Sequence, residues 1–207
     1  MIIVDISWSI DAAMTAYKDK KMVNVEQIKS FEMHSVRESS LRLGAHTGTH
    51  IDAPAHFLVD GATIEHTPLS ATVGPCVVLD LMHVDEAITK EDLVACSIKP
   101  GSRVLFKTKN SLRLAHDLFD YGFIYLAECG ARYLASQKIA AVGIDYLGIE
   151  RNQSGHETHL ALLSSGVVII EGLRLANVQA GEYFLCCLPL AVVGAEAAPA
   201  RAVLITL

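Results

Sequence analysis

Three histidines and an aspartate, His46, His50, Asp52 and His56, lie within an eleven-residue segment whose other members are small or apolar. Imidazole nitrogens and carboxylate oxygens are ligands for zinc and manganese, and an aspartate can hold one metal ion or bridge two. Any one of these histidines alone is more simply an ordinary hydrogen-bonded residue. Four such side chains in one short segment indicate a metal site.

The spacing of these residues favours an extended backbone. His46, His50 and Asp52 are all at even positions, so a strand would project their side chains to one side. A helix would turn Asp52 about 200° away from His50, and Gly48 and Pro54 both oppose helix formation. The pattern therefore predicts that the motif lies at the end of a strand that bends at Pro54.

Two further candidate regions occur late in the chain. His156 and His159 are three residues apart, one short of the HExxH spacing of a zinc protease, so that interpretation is rejected. The spacing alone does not choose between these two histidines as a ligand. Glu171 ends a strongly apolar run, where its charge is costly unless it is paired or bound to a cation.

Competing activities lack their motifs. The chain contains no GxSxG nucleophile elbow, Walker P-loop or GxGxxG fingerprint. Its net charge of −6 argues against nucleic-acid binding, and Lys18, Lys20 and Lys21 stand beside Asp19 as expected of a solvated loop. We therefore expect a small-molecule substrate and no nucleic-acid partner.

Composition and cysteine usage predict the cellular setting. No apolar run approaches the eighteen or so residues of a membrane span, and residues 1–10 lack the basic start of a signal peptide. The five cysteines form no CxxC pair and are expected to be reduced, buried thiols. These features predict a cytoplasmic protein without a membrane partner.

Short β-branched runs alternate with segments of helical spacing, which predicts an α/β or α+β class and one domain over residues 1–207. The segment Thr15–Gln27 is the most polar early stretch and is expected to be a mobile loop. The predicted strands are 2–6, 77–81, 104–106, 140–144, 167–170, 183–188 and 202–207. The predicted helices are 89–95, 127–137 and 156–164, the first with a capping box formed by Thr89 and Asp92.

The segment from His46 to His56 matches the HxGTHxDxPxH signature of the cyclase family of metal-dependent hydrolases, which includes bacterial kynurenine formamidase and isatin hydrolase. The chain resembles that family over nearly its whole length. The other matching segments are 4–7, 142–145, 159–163, 171–173, 188–190 and 199–203. The resemblance implies a fold of the swivelling β/β/α type, with a mixed β-sheet or barrel core and outer helices.

The resemblance also implies a role for each site residue. His46, His50 and Asp52 would hold a first metal ion, and Asp52, His159 and Glu171 a second, with Glu171 also reaching the first. His159 is preferred over His156 because it lies twelve residues before Glu171, as in the family. The ions would be zinc, one or two per subunit, with manganese as an alternative.

Two other positions match family residues. His56 matches the family's general acid/base, and Tyr17 matches an aromatic residue that contacts the substrate. The resemblance implies a metal-dependent amidohydrolase, with N-formyl-kynurenine as the leading substrate and a role in tryptophan catabolism. The alternatives are hydrolysis of another cyclic amide or ester, as in isatin hydrolase, and metal binding without catalysis. Family members are usually homodimers or homotetramers.

Overall fold

The computed structural model describes residues 1–206, which contain twelve strands and five short helices. The strands are β1 (Ile2–Asp5), β2 (Asn24–Lys29), β3 (Glu38–Arg42), β4 (His50–Asp52), β5 (Val73–Asp80), β6 (Ala87–Ile88), β7 (Arg103–Lys107), β8 (Tyr125–Leu126), β9 (Ala141–Ile144), β10 (Val168–Glu171), β11 (Gly181–Pro189) and β12 (Ala197–Thr206). The helices are α1 (Phe31–His34), α2 (Leu69–Thr72), α3 (Lys90–Val94), α4 (Glu128–Ser136) and α5 (Glu157–Leu163).

Seven strands close into a barrel in the order β12, β11, β5, β7, β9, β10 and β4, with β4 pairing again with β12. The pairs from β5 through β7 and β9 to β10 are parallel, whereas the remaining pairs are antiparallel. Strand β1 pairs with the far end of β12. The expected mixed α/β fold with a barrel core is confirmed.

Alternate residues of the barrel strands enter two separate apolar cores. On β7, Leu105 belongs to a cluster that includes residues from most of the barrel strands. Its neighbours Val104 and Phe106 belong to a second cluster with Leu134 of α4 and Leu162 of α5. This period of two is what the pleat of a strand dictates. The barrel is therefore filled on the inside and covered by helices on the outside.

All the predicted strands and helices are present within residues 1–206, with ends shifted by up to five residues. Residue 207 of the predicted strand 202–207 lies outside the described residues. The capping box of Thr89 and Asp92 at the start of α3 is also confirmed. The prediction of an extended segment from His46 was wrong, because Gly48 adopts a φ of 63° and the strand begins only at His50. The hairpin of β2 and β3 was not predicted.

Each of the helices in residues 1–206 falls short of the length and apolar character that a bilayer-spanning helix needs. All five cysteines are free thiols, as predicted, but the expectation of burial was wrong for Cys96, Cys129 and Cys186, because Cys129 is exposed and the other two are only partly buried.

Candidate metal centre

Three neighbouring elements bring most of the predicted ligands together. Strand β4 carries His50 and Asp52, and the register of its pairing with β10 sets His50 opposite Glu171. Helix α5 carries His159 on a buried position. His46 lies in the turn that precedes β4. Five residues that are spread over 126 positions of the sequence thus meet at one site.

Gly48 and Gly172 allow the backbone segments that carry these ligands to approach closely. Gly48 has a φ of 63°, and Gly172, directly after Glu171, has a φ of 72°. A Cβ on Gly172 would lie 2.3 Å from the carbonyl oxygen of Gly48. Only glycine fits this left-handed conformation in so confined a space. Thr49 also links these two backbone segments, because its Oγ1 donates to Gly172 O at 2.6 Å.

Asp52 lies at the centre of the cluster. Its Oδ1 is 2.9 Å from His46 Nδ1 and 3.6 Å from His50 Nε2, and its Oδ2 is 3.6 Å from His159 Nε2. Glu171 lies beside it, with Oε2 3.3 Å from His50 Nε2 and Oε1 3.6 Å from His159 Nε2. Both carboxylates are almost fully buried.

The polar atoms of this cluster fit a metal ion. Within the described residues, both oxygens of Asp52 and Nε2 of His50 are buried without a hydrogen-bond partner. Buried polar atoms in native proteins nearly always have a partner, so such a group points to a bound ion. One candidate ligand atom from each of His50, Asp52 and Glu171 lies within 4.8 Å of the others. The mixed nitrogen and oxygen donors suit zinc or manganese.

Electrostatics at the site favour bound positive charge. Burial opposes protonation of His50, but its contact with Glu171 and the charge of Asp52 outweigh burial and raise its pKa to about 9. Burial likewise opposes protonation of His159, and contacts with Asp52 and other carboxylates raise its pKa to about 11. Burial and the Asp52 charge raise the pKa of Glu171. Contacts with His159 and His50 outweigh both effects and lower this pKa to about 2. Two buried carboxylates thus require positive partners, and a metal ion would replace the histidine protons.

His56 lies on the short 3-10 turn Pro54–His56, at the bend that the sequence predicted. Its ring centroid is 4.2 Å from that of His46 and 5.8 Å from that of His159. Burial lowers the pKa of His56, which favours the neutral imidazole. One candidate ligand atom from each of His46, Asp52 and His56 lies within 4.8 Å of the others, so geometry alone also admits His56 as a ligand.

Polar groups of the protein lie behind two imidazoles of the cluster. His50 Nδ1 donates to Gly48 O at 2.9 Å, which directs Nε2 towards the carboxylates. Glu150 places Oε2 2.9 Å from His159 Nδ1, and its other oxygen contacts His156 Nδ1. Glu150 therefore lies between His156 and the cluster. Sequence analysis missed Glu150, which sits in a loop with no motif around it.

A cavity of about 510 Å³ opens onto this cluster. Its lining includes His46, His56, His159 and Glu171, and also Tyr17, which is 40% exposed. The Tyr17 ring packs against Phe119 with centroids 5.0 Å apart. Tyr17 thus occupies the wall of the cavity, the location from which it could contact a bound substrate.

The sequence and the fold both have clear relatives. A family model described as Cyclase matches residues 4–151. A kynurenine formamidase from Salinibacter ruber (strain DSM 13855 / M31) is 34% identical over 207 residues, covering 99% of this chain and 97% of the relative.

Solved structures give the same picture. A predicted metal-dependent hydrolase from Bacillus stearothermophilus is 48% identical, with a TM-score of 0.88 over 98% of this chain and 97% of that chain. Isatin hydrolase A from Labrenzia aggregata, bound to benzyl benzoate, has a TM-score of 0.84 at 22% identity, covering 100% of this chain and 94% of that chain. The second likeness is one of fold.

Proposed function

This chain belongs to the cyclase family of metal-dependent hydrolases, and we propose that it hydrolyses a small amide of the aryl-formamide type. The leading candidate reaction converts N-formyl-kynurenine and water to kynurenine and formate. The observation that carries this proposal is the group of unpartnered buried polar atoms of His50 and Asp52. These atoms lie against His46, His159 and Glu171, which line the cavity. The full-length similarity to a kynurenine formamidase supports the choice of substrate.

We assign the metal ligands as the family resemblance implies. His46, His50 and Asp52 would hold a first ion, and Asp52, His159 and Glu171 a second, with Glu171 also reaching the first. The position of Asp52 between His46 and His159 supports a bridging role. Zinc is the expected ion, with one or two per subunit, and manganese is the alternative. A divalent cation supplies Lewis acidity, which lowers the pKa of water and polarises an amide carbonyl.

His56 is the proposed proton carrier. Burial favours its neutral form, so an imidazole nitrogen can accept a proton from the attacking water. The same nitrogen then returns that proton to the leaving amine nitrogen as the carbon–nitrogen bond breaks. The products are the amine and a carboxylate, which is formate for a formamide substrate. Tyr17 is the proposed contact for the aromatic part of the substrate, because it lines the cavity wall.

The test is hydrolysis of N-formyl-kynurenine by purified protein whose metal content is measured on the same sample. We expect turnover that is lost on chelation and restored by adding zinc or manganese. A metallated protein that is inactive on this substrate would contradict the formamidase assignment. Turnover of a panel of cyclic amides and esters would then distinguish an activity like that of isatin hydrolase from metal binding without catalysis.

We also propose a cellular location and a domain organisation for the chain. The five free thiols support a reducing compartment, so we place the chain in the cytoplasm. Closure of the barrel by β4 and β12, with β1 alongside, supports one domain over residues 1–207.

We also propose that the chain forms a homodimer or homotetramer through the hairpin of β2 and β3. Every residue of both strands is exposed, and within residues 1–206 they pair only with each other. An isolated two-stranded hairpin is at best marginally stable in water, so a second copy of the chain is the expected support. The apolar residues exposed on or beside this hairpin are Met22, Val25, Ile28, Phe31, Met33, Val36 and Leu41.

A further inference from the structure

Three lysines that the sequence placed in a solvated loop lie on the wall of the cavity. Lys18, Lys20 and Lys21 all belong to the lining of the cavity that opens onto the candidate metal centre. Tyr17, the proposed substrate contact, precedes them directly. Lys18 Nζ lies 5.2 Å from the centroid of the Tyr17 ring, which places its charge beside the expected position of the substrate.

The positive charges of these lysines are not balanced by neighbouring carboxylates. Within residues 1–206, no carboxylate oxygen lies within 4.0 Å of the ammonium group of Lys18, Lys20 or Lys21. The carboxylates that line the same cavity each have a histidine partner instead. The pairs are Asp11 with His116 at 2.9 Å, Glu150 with His159 at 2.9 Å, Glu171 with His50 at 3.3 Å and Glu196 with His46 at 3.5 Å. The cavity mouth therefore offers positive charge to an incoming ligand.

The segment that carries the lysines is fixed in an unusual conformation. Lys18 and Asp19 have φ values of 51° and 59°, in the left-handed region that residues other than glycine rarely adopt. Asp19 is held in place because Phe119 N donates to its Oδ1 at 2.9 Å, and Tyr17 packs on the Phe119 ring. Backbone strain that the surrounding structure maintains is characteristic of ligand-binding segments.

We propose that Lys18, Lys20 and Lys21 bind a carboxylate of the substrate, so that the substrate class is an amide or ester carrying a carboxylate separate from the scissile bond. The inference rests on the proposed function and narrows it. Complementary charge at the mouth of a cavity attracts and orients an ionic substrate, and the attraction weakens as salt screens it. A neutral analogue of the same shape gains nothing from these lysines.

The test compares two formamides that differ by one carboxylate, 2-formamidobenzoate and N-phenylformamide, on holoenzyme of measured metal content. The readout is the ratio of kcat/KM for the charged substrate to that for the neutral one, which cancels any loss of folded enzyme. Replacing all three lysines by Gln should lower the ratio about tenfold at low salt, and less at high salt. The triple Lys→Arg variant keeps the charges and should keep a ratio close to that of the wild type.

A matched control separates local contacts from net charge. The control variant replaces Lys90, Lys99 and Lys138 by Gln; these lysines are exposed and outside the cavity lining. Its ratio should stay at the wild-type value. Equal ratios in the wild type and the cavity variant, or equal losses in the cavity and control variants, would overturn the proposal.

Binding of 2-aminobenzoate, measured by calorimetry, separates this proposal from the proposed function. If neither formamide is hydrolysed but binding weakens about tenfold in the cavity variant and not in the control variant, the formamidase assignment fails and the carboxylate site stands. If both formamides are hydrolysed and binding is the same in all variants, the formamidase activity stands and the carboxylate site is overturned.

Discussion

Asp52 is the residue that links the two halves of the proposed metal centre, because one oxygen faces His46 and the other faces His159. Asp52→Ala should therefore lower metal affinity more than about a hundredfold and abolish turnover, since it removes a ligand rather than its support. His50→Ala should have the same two effects. Metal analysis of the purified variants checks the prediction. A fully metallated Asp52→Ala protein would contradict the bridging assignment.

His56 should behave differently from the ligands. Removing a general acid/base lowers the rate by roughly 10² to 10⁴-fold without removing the cation. We therefore expect His56→Ala to retain its metal content and lose turnover to that extent. Metal content and kcat must be measured on one sample, because one atom of His56 also lies close enough to His46 and Asp52 to be a ligand. Loss of metal from this variant would make His56 a ligand.

Glu150 is a positioning residue for His159, since its Oε2 lies 2.9 Å from His159 Nδ1. Carboxylates behind ligand histidines orient the ring, and their loss typically reduces metal affinity 10 to 100-fold. Glu150→Gln should show about this loss in a metal titration. Glu157→Gln, the same change on the helix that carries His159, should not. Equal affinities for the two variants would show that Glu150 does not position the ligand.

At the scale of elements, the junction between β4 and β10 depends on Gly172. Ala at this position would meet the carbonyl oxygen of Gly48 at 2.3 Å, so one of the two strands must shift. Gly166 provides a matched control, because its φ of 73° equals that of Gly172 within a degree and no atom lies within 4 Å of an added Cβ. Both variants carry the strain of a positive φ, but only Gly172→Ala adds the clash.

We therefore expect Gly172→Ala to lower both the melting temperature and the metal affinity, and Gly166→Ala to lower the melting temperature alone. Residue 172 adjoins Glu171, so the displaced strand carries a proposed ligand with it. Thermal unfolding and metal titration on each variant measure the two effects. Equal metal affinity in both variants would show that the junction does not set the geometry of the site.

The sequence was sufficient to predict those elements that leave a local pattern of residue types, such as an apolar run or a helix cap. The runs of Val, Ile and Leu at 77–81 and 140–144 are buried barrel strands, and the Thr89 and Asp92 pair marks a helix start by its own hydrogen bonds. The hairpin of β2 and β3 escaped prediction because it is exposed on both faces. Without a buried face, its residues carry no alternation of apolar and polar side chains to recognise.

At the scale of the whole molecule, the candidate metal centre forms because the barrel closes. The spacing of His46, His50 and Asp52 was sufficient to predict a metal site, but nothing local connects them with Glu171. They meet because β4 pairs with β10 on one side and β12 on the other. Contacts of this kind are long-range, so residue spacing does not reveal them, and only the family resemblance grouped Glu171 with the other ligands. Lys18, Lys20 and Lys21 are exposed as predicted, but their place on the cavity wall was not predicted for the same reason.

The hairpin of β2 and β3 makes the oligomeric state testable. Seven exposed apolar side chains lie on or beside it, and a stable interface buries roughly 800 Å² per partner. Val25 and Leu41 face each other across the two strands. Replacing them by Lys and Glu removes apolar surface but leaves an opposite-charge pair that supports strand pairing. The double variant should therefore be a folded monomer, whereas we expect the wild type to be a dimer or tetramer.

Molecular mass in solution, from light scattering or sedimentation, measures this change. The control places the same two charges at Val193 and Leu118, which are 84% and 80% exposed and lie outside the hairpin. It should keep the wild-type mass, because the surface that joins the copies is intact. A monomeric wild type, or a hairpin variant of unchanged mass, would show that the hairpin is not the interface. A loss of mass shared by both variants would show that the effect does not depend on where the two charges are placed, and would also contradict the hairpin as the interface.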